Sequence, residues 1–291
     1  YMKYLKDIDY TNIDKGIEYL QKNKLNFYLD KDEITIFHVY WYGKLDRKQI
    51  LCINSYLKTQ NLSKTKLWVW LDYKTFTNEN INLIPKHKNI EIKKYIPNEE
   101  AKGTLFEKNI HINNEKYLKF RSDLARVIFL YKYGGVYYDL DMILLKDFDS
   151  LLNIEFCYTW SLKNTANNGL LRLFKNSNIC KNIIEKYNNF LKDKKKNFDY
   201  MVRIIHKNIY TSELNIYCLP CVLFDPVWIL HDTKGKSKYS NLNNFDNFFK
   251  KTDDNINNFF DNKIFAYHWH SRNNVKIEKD SYFERFELQF K

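Results

Sequence analysis

Residues 120–149 read FRSDLARVIFLYKYGGVYYDLDMILLKDFD. Tyr117, Phe120, Leu124, Val127, Ile128 and Tyr131 recur at helical spacing and predict a helix with one buried stripe. Gly134-Gly135 follows and predicts the left-handed backbone that ends a helix. Val136 to Ile143 is rich in strand formers. Alternation along such a strand puts Tyr137, Asp139 and Asp141 on one face, with Val136, Tyr138, Leu140 and Met142 toward the core. The chain has four Asp-x-Asp triplets, at Asp7/Asp9, Asp30/Asp32, Asp139/Asp141 and Asp147/Asp149. Only Asp139/Asp141 stands on a predicted strand directly behind a helix-stopping glycine pair. The construction therefore carries more information than the triplet.

Two carboxylates two residues apart on a strand sit roughly 7 Å apart at Cα. Left alone they repel, so a positive charge is expected between them. Carboxylate oxygens suit Mg²⁺ or Mn²⁺, which also bind phosphate oxygens. The alternative is a solvated strand carrying two acids, and the flanking residues are too apolar for that. Asp123 and Arg126 lie three apart, on one face of the predicted helix. Spacing alone leaves two readings open for them: a surface ion pair of small consequence, or a pair beside the metal strand that contacts a sugar or ribose.

The run SDLARVIFLYKYGGVYYDLDM resembles the sugar-nucleotide-binding core of metal-dependent glycosyltransferases of the GT-A fold. It is similar to the retaining group that includes clostridial glucosylating toxins, yeast initiating mannosyltransferases and animal α1,4-galactosyl/N-acetylglucosaminyltransferases. Thr35 to Lys44 (TIFHVYWYGK) resembles the family's first strand, Asn168-Gly169 the strand that begins the acceptor half, and FAYHWHSR (265–272) the C-terminal Ala-x-His-x-Trp segment. The resemblance implies an α/β GT-A fold with a mixed central sheet and added helices. It implies a metal-dependent retaining transferase that moves a hexose from a nucleotide sugar, UDP-hexose favoured, to a glycan or protein acceptor, with Mn²⁺ or Mg²⁺. Carried over, Asp141 and Asp139 bind the metal, and Asp139 also touches the ribose. Asp123 and Arg126 hold donor-sugar hydroxyls, Trp41 stacks on the base, and Val39 and Tyr137 line the nucleotide. His268 completes the metal site. The chain departs from the family pattern at His268-Trp269-His270, where a second His takes the Trp position, so His268 and His270 compete for that role. Trp41 also has a plain core reading, as do Trp68, Trp70 and Trp160.

The organisation expected is one domain over 1–291. It comprises a helical preface (1–30), a nucleotide-sugar half (31–150) and an acceptor-side half (151–291). Strands are expected at 34–40, 66–71, 90–95, 156–160 and 170–174, with helices near 178–191 and 280–290. Residues 234–262, rich in Asn, Asp, Lys and Ser, read as a mobile excursion. The net charge of +12 comes from 40 Lys and 7 Arg. A lysine excess carries little base-reading capacity, so no specific nucleic-acid partner is expected. Five scattered cysteines (Cys52, Cys157, Cys180, Cys218, Cys221), with only one CxxC pair, predict reduced thiols and a cytoplasm-like setting. No run is long and apolar enough to span a bilayer, and a removed N-terminal anchor stays open. Two other function classes stay open as well: another metal-dependent phosphate enzyme, such as a nuclease or nucleotidyltransferase, and a non-catalytic polyanion- or carbohydrate-binding module.

Overall fold

The computed structural model describes residues 34–107, 112, 118–160, 166–191, 216–228, 244–255 and 264–291. The predicted 1–30 preface lies outside these, as does Tyr117. Three strand–helix steps build the first half: β1 (Thr35–Trp41), α1 (Arg47–Thr59), β2 (Thr65–Asp72), α2 (Asn78–Leu83), β3 (Ile90–Tyr95) and α3 (Pro97–Ala101). Then come α4 (Leu118–Tyr133), β4 (Gly135–Tyr138), β5 (Met142–Leu144), β6 (Phe156–Thr159), β7 (Ala166–Leu173), α5 (Asn178–Leu191), β8 (Tyr217–Leu219), β9 (Ala266–His268) and α6 (Tyr282–Gln289). The expected strands and helices are present to within a few residues. α1 starts where Asp46 accepts from Lys48 N and Gln49 reaches back to Asp46 N, a reciprocal cap that satisfies two orphan donors.

One seven-stranded sheet runs β3-β2-β1-β4-β7-β6-β8. β3, β2, β1 and β4 are parallel; β7 pairs antiparallel with β4 and β6 antiparallel with β7. The β4–β7 ladder joins strands of the first half to strands of the second. Alternate strand residues divide between two buried clusters. Phe37, Val39, Val136 and Tyr138 pack in one; Tyr40, Trp70 and Tyr137 pack in the other with Leu124, Val127 and Ile128 of α4. Leu124, Val127 and Ile128 belong to the expected stripe, but Ala125, Phe129 and Leu130 are buried as well, so the helix is covered on more than one face.

The glycine pair has the predicted conformation, with φ 66° at Gly134 and 107° at Gly135. Gly134 N closes α4 onto Leu130 O at 3.0 Å. A Cβ on Gly135 would stand 2.0 Å from Ile36 O, so β4 enters beside β1 only as glycine. His38 fastens this corner: Trp70 Nε1 donates to its Nδ1 (3.2 Å), so its Nε2–H donates to Gly134 O (2.8 Å). Burial pushes the His38 imidazole down to about 3, which keeps it neutral and the network intact.

Two expectations need correction. Val136 to Ile143 is not one strand. β4 stops at Tyr138, Asp139 N makes a last bond to Gly169 O (2.8 Å), and Met142 N closes a turn onto Asp139 O (3.0 Å). β5 then pairs with β9 in a separate two-stranded sheet. Asp139 therefore opens a turn and Asp141 lies within it, rather than both sharing a strand face with Tyr137. The turn still sends Leu140 and Met142 into the core with Val136 and Tyr138. The second correction concerns 234–262. Within it, Phe245–Phe249 forms a 3-10 turn whose Phe245, Phe248 and Phe249 are buried. Polar composition had hidden three aromatic residues that pack into the core.

Candidate active site

The site lies at the carboxyl ends of the parallel strands, where α/β sheets open a crevice. α4 precedes β4 and crosses back over the sheet, so its early residues reach this edge. Asp123 and Arg126 are both buried, each 4% exposed, which removes the surface-pair reading. Asn168 Nδ2 donates to Asp123 Oδ1 (2.7 Å), and Arg126 Nη2 lies 3.4 Å from the same oxygen. Arg126 Nη2 donates to Asp139 Oδ1 (2.9 Å), and Nη1 donates to Asn168 O. Its guanidinium lies 4.7 Å from the Tyr137 ring centre. One arginine thus ties α4 to the β4 turn and to β7.

Asp141 is held from the other side. Ser271 N donates to its Oδ2 at 2.6 Å. His268 Nε2 lies 2.8 Å from Oδ1, without the alignment of a hydrogen bond. The β5–β9 ladder sets this up: Met142 pairs with His268, and Trp269 N bonds Asp141 O (3.1 Å). Burial opposes ionisation of Asp141, but the His268 charge and the Ser271 N–H outweigh it and hold the carboxyl far below its usual range. Burial likewise opposes the His268 cation, yet Asp141, with Asp225 and Asp139 nearby, lifts the imidazole to about 9. Burial raises Asp139, with the Asp141 charge acting in the same direction and Arg126 against it.

Ligand atoms of Asp139, Asp141 and His268 lie within 4.8 Å of one another. Gly169 keeps the space between them open, since a Cβ there would stand 3.2 Å from Asp139 Oδ2 and 3.0 Å from His268 Cε1. Two carboxylates and an imidazole in an open cradle fit a divalent cation such as Mn²⁺. His270 lies beyond the end of β9 with φ 50°, and Ser271 follows at 58°. The His268 and His270 rings stack with centres 3.8 Å apart, and His270 Nε2 lies 2.7 Å from Asp225 Oδ2. The acid pair therefore gathers with His268, while His270 gathers with His268 and Asp225.

The other expected residues divide. Trp41 ends β1, partly buried against the core, with Nε1 donating to Lys44 O (3.1 Å). Val39 and Tyr137 are fully buried; the Tyr137 hydroxyl lies 3.2 Å from Ser122 Oγ, and Val39 is a core side chain. Trp70 is core as expected, whereas Trp68 and Trp160 keep partial exposure. Ser271 and Asp225 escaped the sequence reading. Neither lies in a periodic run, and only the folded chain brings Ser271 to Asp141 and Asp225 to the two histidines. All five cysteines are buried free thiols.

A family model, described as the glycosyltransferase sugar-binding region containing the DXD motif, matches residues 6–157, more than half of the chain. The chain belongs to this glycosyltransferase family. Its fold is similar to that of the bifunctional glycosyltransferase WbbM, with a TM-score of 0.52 at 12% identity over 91% of this chain and 50% of that one. It is also similar to the glycosyltransferase GlyE of Streptococcus pneumoniae TIGR4, with a TM-score of 0.51 at 12% identity over 88% of this chain and 60% of that one. The chain thus spans half to three-fifths of these two structures. PaToxG glycosyltransferase aligns with a TM-score of 0.49 at 16% identity, over 69% of this chain and 78% of that one. None of the curated proteins compared with the chain by sequence matches it. The glycosyltransferase has the GT-A architecture that its first half suggested. No described helix is long and apolar enough to cross a membrane.

Proposed function

We propose that the enzyme is a metal-dependent retaining hexosyltransferase that uses a nucleotide sugar, UDP-hexose in the first instance, and a glycan or protein acceptor. The observation that carries this reading is the convergence of Asp139, Asp141 and His268 around a glycine-opened space, beside the Asp123–Asn168–Arg126 cluster. Asp139, Asp141 and His268 would hold Mn²⁺ or Mg²⁺. When bound, the cation supplies neutralising charge for the diphosphate released as the sugar–phosphate bond breaks.

The remaining roles belong to the chain itself. Arg126 fixes the Asp139 carboxylate through Nη2 and offsets its negative charge. Asp123, oriented by Asn168, presents a carboxylate oxygen to a sugar hydroxyl. Ser271 N–H and the core-anchored turn keep the Asp141 carboxylate ionised and fixed. Such preorganised groups cost no reorganisation during reaction. Trp41, at the end of β1 before Gly43, offers an indole face to the base. Both halves contribute to one site, which supports reading 1–291 as a single domain. The test is turnover of a panel of UDP- and GDP-hexoses in Mn²⁺, with and without EDTA, with the anomeric configuration of the product read by NMR. Transfer insensitive to EDTA, or an inverted product, would refute the corresponding part.

A further inference from the structure

Away from the metal cradle, the carboxyl ends of β1, β2 and β3 enclose a second group of buried polar atoms. Arg121, in the first turns of α4, is 1% exposed. Its Nε lies 2.9 Å from Asp72 Oδ2, at the last residue of β2. Asp72 is already engaged: Oδ2 accepts from the Tyr40 hydroxyl (2.8 Å) and Oδ1 from Lys74 N (3.1 Å). Burial and the Asp72 charge push the Tyr40 hydroxyl up, so it stays a donor. Among the described residues, neither Nη atom of Arg121 has a hydrogen-bond partner. The buried Tyr95 hydroxyl has none either, and its ring packs edge-on to Tyr40 at 5.3 Å. The guanidinium lies 5.8 Å from the Tyr42 ring and 5.4 Å from the Tyr73 ring, on the loops that follow β1 and β2. Tyr73 is 38% exposed, so this wall faces solvent.

A buried ion pair needs one edge of a guanidinium. Leaving the other N–H groups without acceptors costs free energy that a purely structural pair could avoid. Such buried donors call for an explanation, and two on one guanidinium beside the Tyr95 hydroxyl are suited to a ligand that offers acceptors. The location says which part of a donor would reach them. β2 is two strands from β4, roughly 10 Å at ordinary strand spacing. A diphosphate beside Asp139 would project its nucleoside toward this end of the sheet.

We propose that Arg121 is a specificity-determining residue that reads the O4 position of uracil or the O6/N7 edge of guanine, where cytosine and adenine carry an amino group. The proposal rests on the nucleotide-sugar reading above. A guanidinium offers donors only, so it matches carbonyl oxygens, and in guanine the O6/N7 edge. The amino groups of adenine and cytosine would set donors against donors. Tyr42 and Tyr73 flank the guanidinium as aromatic walls for a flat ring.

Calorimetric titration of the whole chain with UDP, GDP, ADP and CDP in Mn²⁺, with inorganic pyrophosphate as control, tests this. The wild type is expected to bind UDP or GDP about tenfold or more tighter than ADP and CDP. The tighter of the two identifies the base. Arg121→Lys keeps the charge but loses the paired donors. It should lose most of that ratio while pyrophosphate affinity stays unchanged. Tyr73→Ala removes a partly exposed wall and should weaken the preferred nucleotide several-fold, and it decides the matter should the Arg121 variants not fold. A wild-type ratio near one overturns the proposal. So does a folded Arg121→Lys that keeps the ratio, or a Tyr73→Ala with unchanged affinity when no Arg121 variant folds. Should wild type bind neither pyrophosphate nor any nucleotide, the donor reading itself fails, and this proposal with it.

Discussion

The two halves of the chain, which the proposed function makes a donor half (31–150) and an acceptor half (151–291), build one site by different means. In the donor half, the α4–glycine–β4 unit places Arg126 and Asp139 from a single run of 14 residues and locks them with glycine geometry and His38. In the acceptor half, Asn168, Gly169, Asp225, His268 and Ser271 come from β7, from the segment after β8 and from both sides of the β9 end. The first arrangement is rigid because local backbone dictates it. The second exists only through the β4–β7 and β5–β9 ladders. Damage to the donor unit should therefore cost the fold, and damage to the acceptor contributions should cost function with the fold kept.

The largest effect expected is that of Gly135→Ala. Its Cβ would meet Ile36 O at 2.0 Å, at φ 107°. Destabilisation on the order of 4 kcal/mol, or failure to fold, should follow in urea unfolding. Gly103→Ala serves as the control, with φ 76° but nothing within 4 Å of the new methyl. It should cost about 1–2 kcal/mol, the left-handed penalty alone. Equal costs at the two sites would show that the β1–β4 approach is not what holds the unit.

On the other side of the comparison stands Asp141→Ala, a residue held by His268 and Ser271 of the acceptor half: it should still fold, with some stability lost along with the His268–Asp141 pair, and turnover should be lower by roughly 10²–10³-fold or more. His268→Ala should act likewise and weaken Mn²⁺ binding measured directly by electron paramagnetic resonance. His270→Ala should leave Mn²⁺ binding near wild type, because its Nε2 faces Asp225. If His270→Ala shifts Mn²⁺ binding and His268→Ala does not, the cradle has been assigned to the wrong histidine.

The same division governs what could be read from the sequence. The helix stripe, the glycine stop and the acid pair are local, so periodicity and turn chemistry expose them. The break at Asp139 was hard to read, because the only turn-favouring residues in Val136 to Ile143 are Asp139 and Asp141, the same acids whose pairing suggested a metal. Tertiary pairing with β7 and then β9 ends the strand there. The surface-pair reading of Asp123–Arg126 was open on spacing and falls only when burial and Asn168 are known. His268 could be named through family resemblance, whereas Ser271 and Asp225 could not, since single polar residues at loop positions leave no pattern.

Trp41→Ala probes the junction between the halves and the nucleotide. Loss of a stacking platform costs about 1–3 kcal/mol, so donor affinity should fall roughly ten- to hundredfold with a smaller change in turnover at saturation. Titration with UDP and Mn²⁺ reads this. Unchanged affinity in a folded variant would assign Trp41 to the core it already touches.

The smallest effect separates the halves by pH. His38 belongs to the donor unit, and burial lowers its imidazole to about 3. The unfolded chain, with His near 6.5, therefore takes up a proton at a pH where the folded chain does not. The His38 contribution is complete above pH 6.5 and is lost progressively as pH falls from there toward 3. Between pH 7 and 5.5 the loss should be about 1 kcal/mol. His268, in the acceptor half and held up at about 9, works in the opposite sense: its stabilisation is full below 6.5 and lost as pH rises through 9. Urea unfolding at pH 7 and 5.5 measures the sum, and His38→Asn isolates one part. Asn can offer a donor to Gly134 O and an acceptor to Trp70 without titrating. The variant will be less stable at both pH values, and its change between pH 7 and 5.5 should differ from that of the wild type by about 1 kcal/mol, the acid-side loss due to His38 being gone and the His268 part remaining. A pH slope identical to wild type would mean that His38 is not held neutral by its corner. The rigidity of the donor unit would then have to come from the glycines alone.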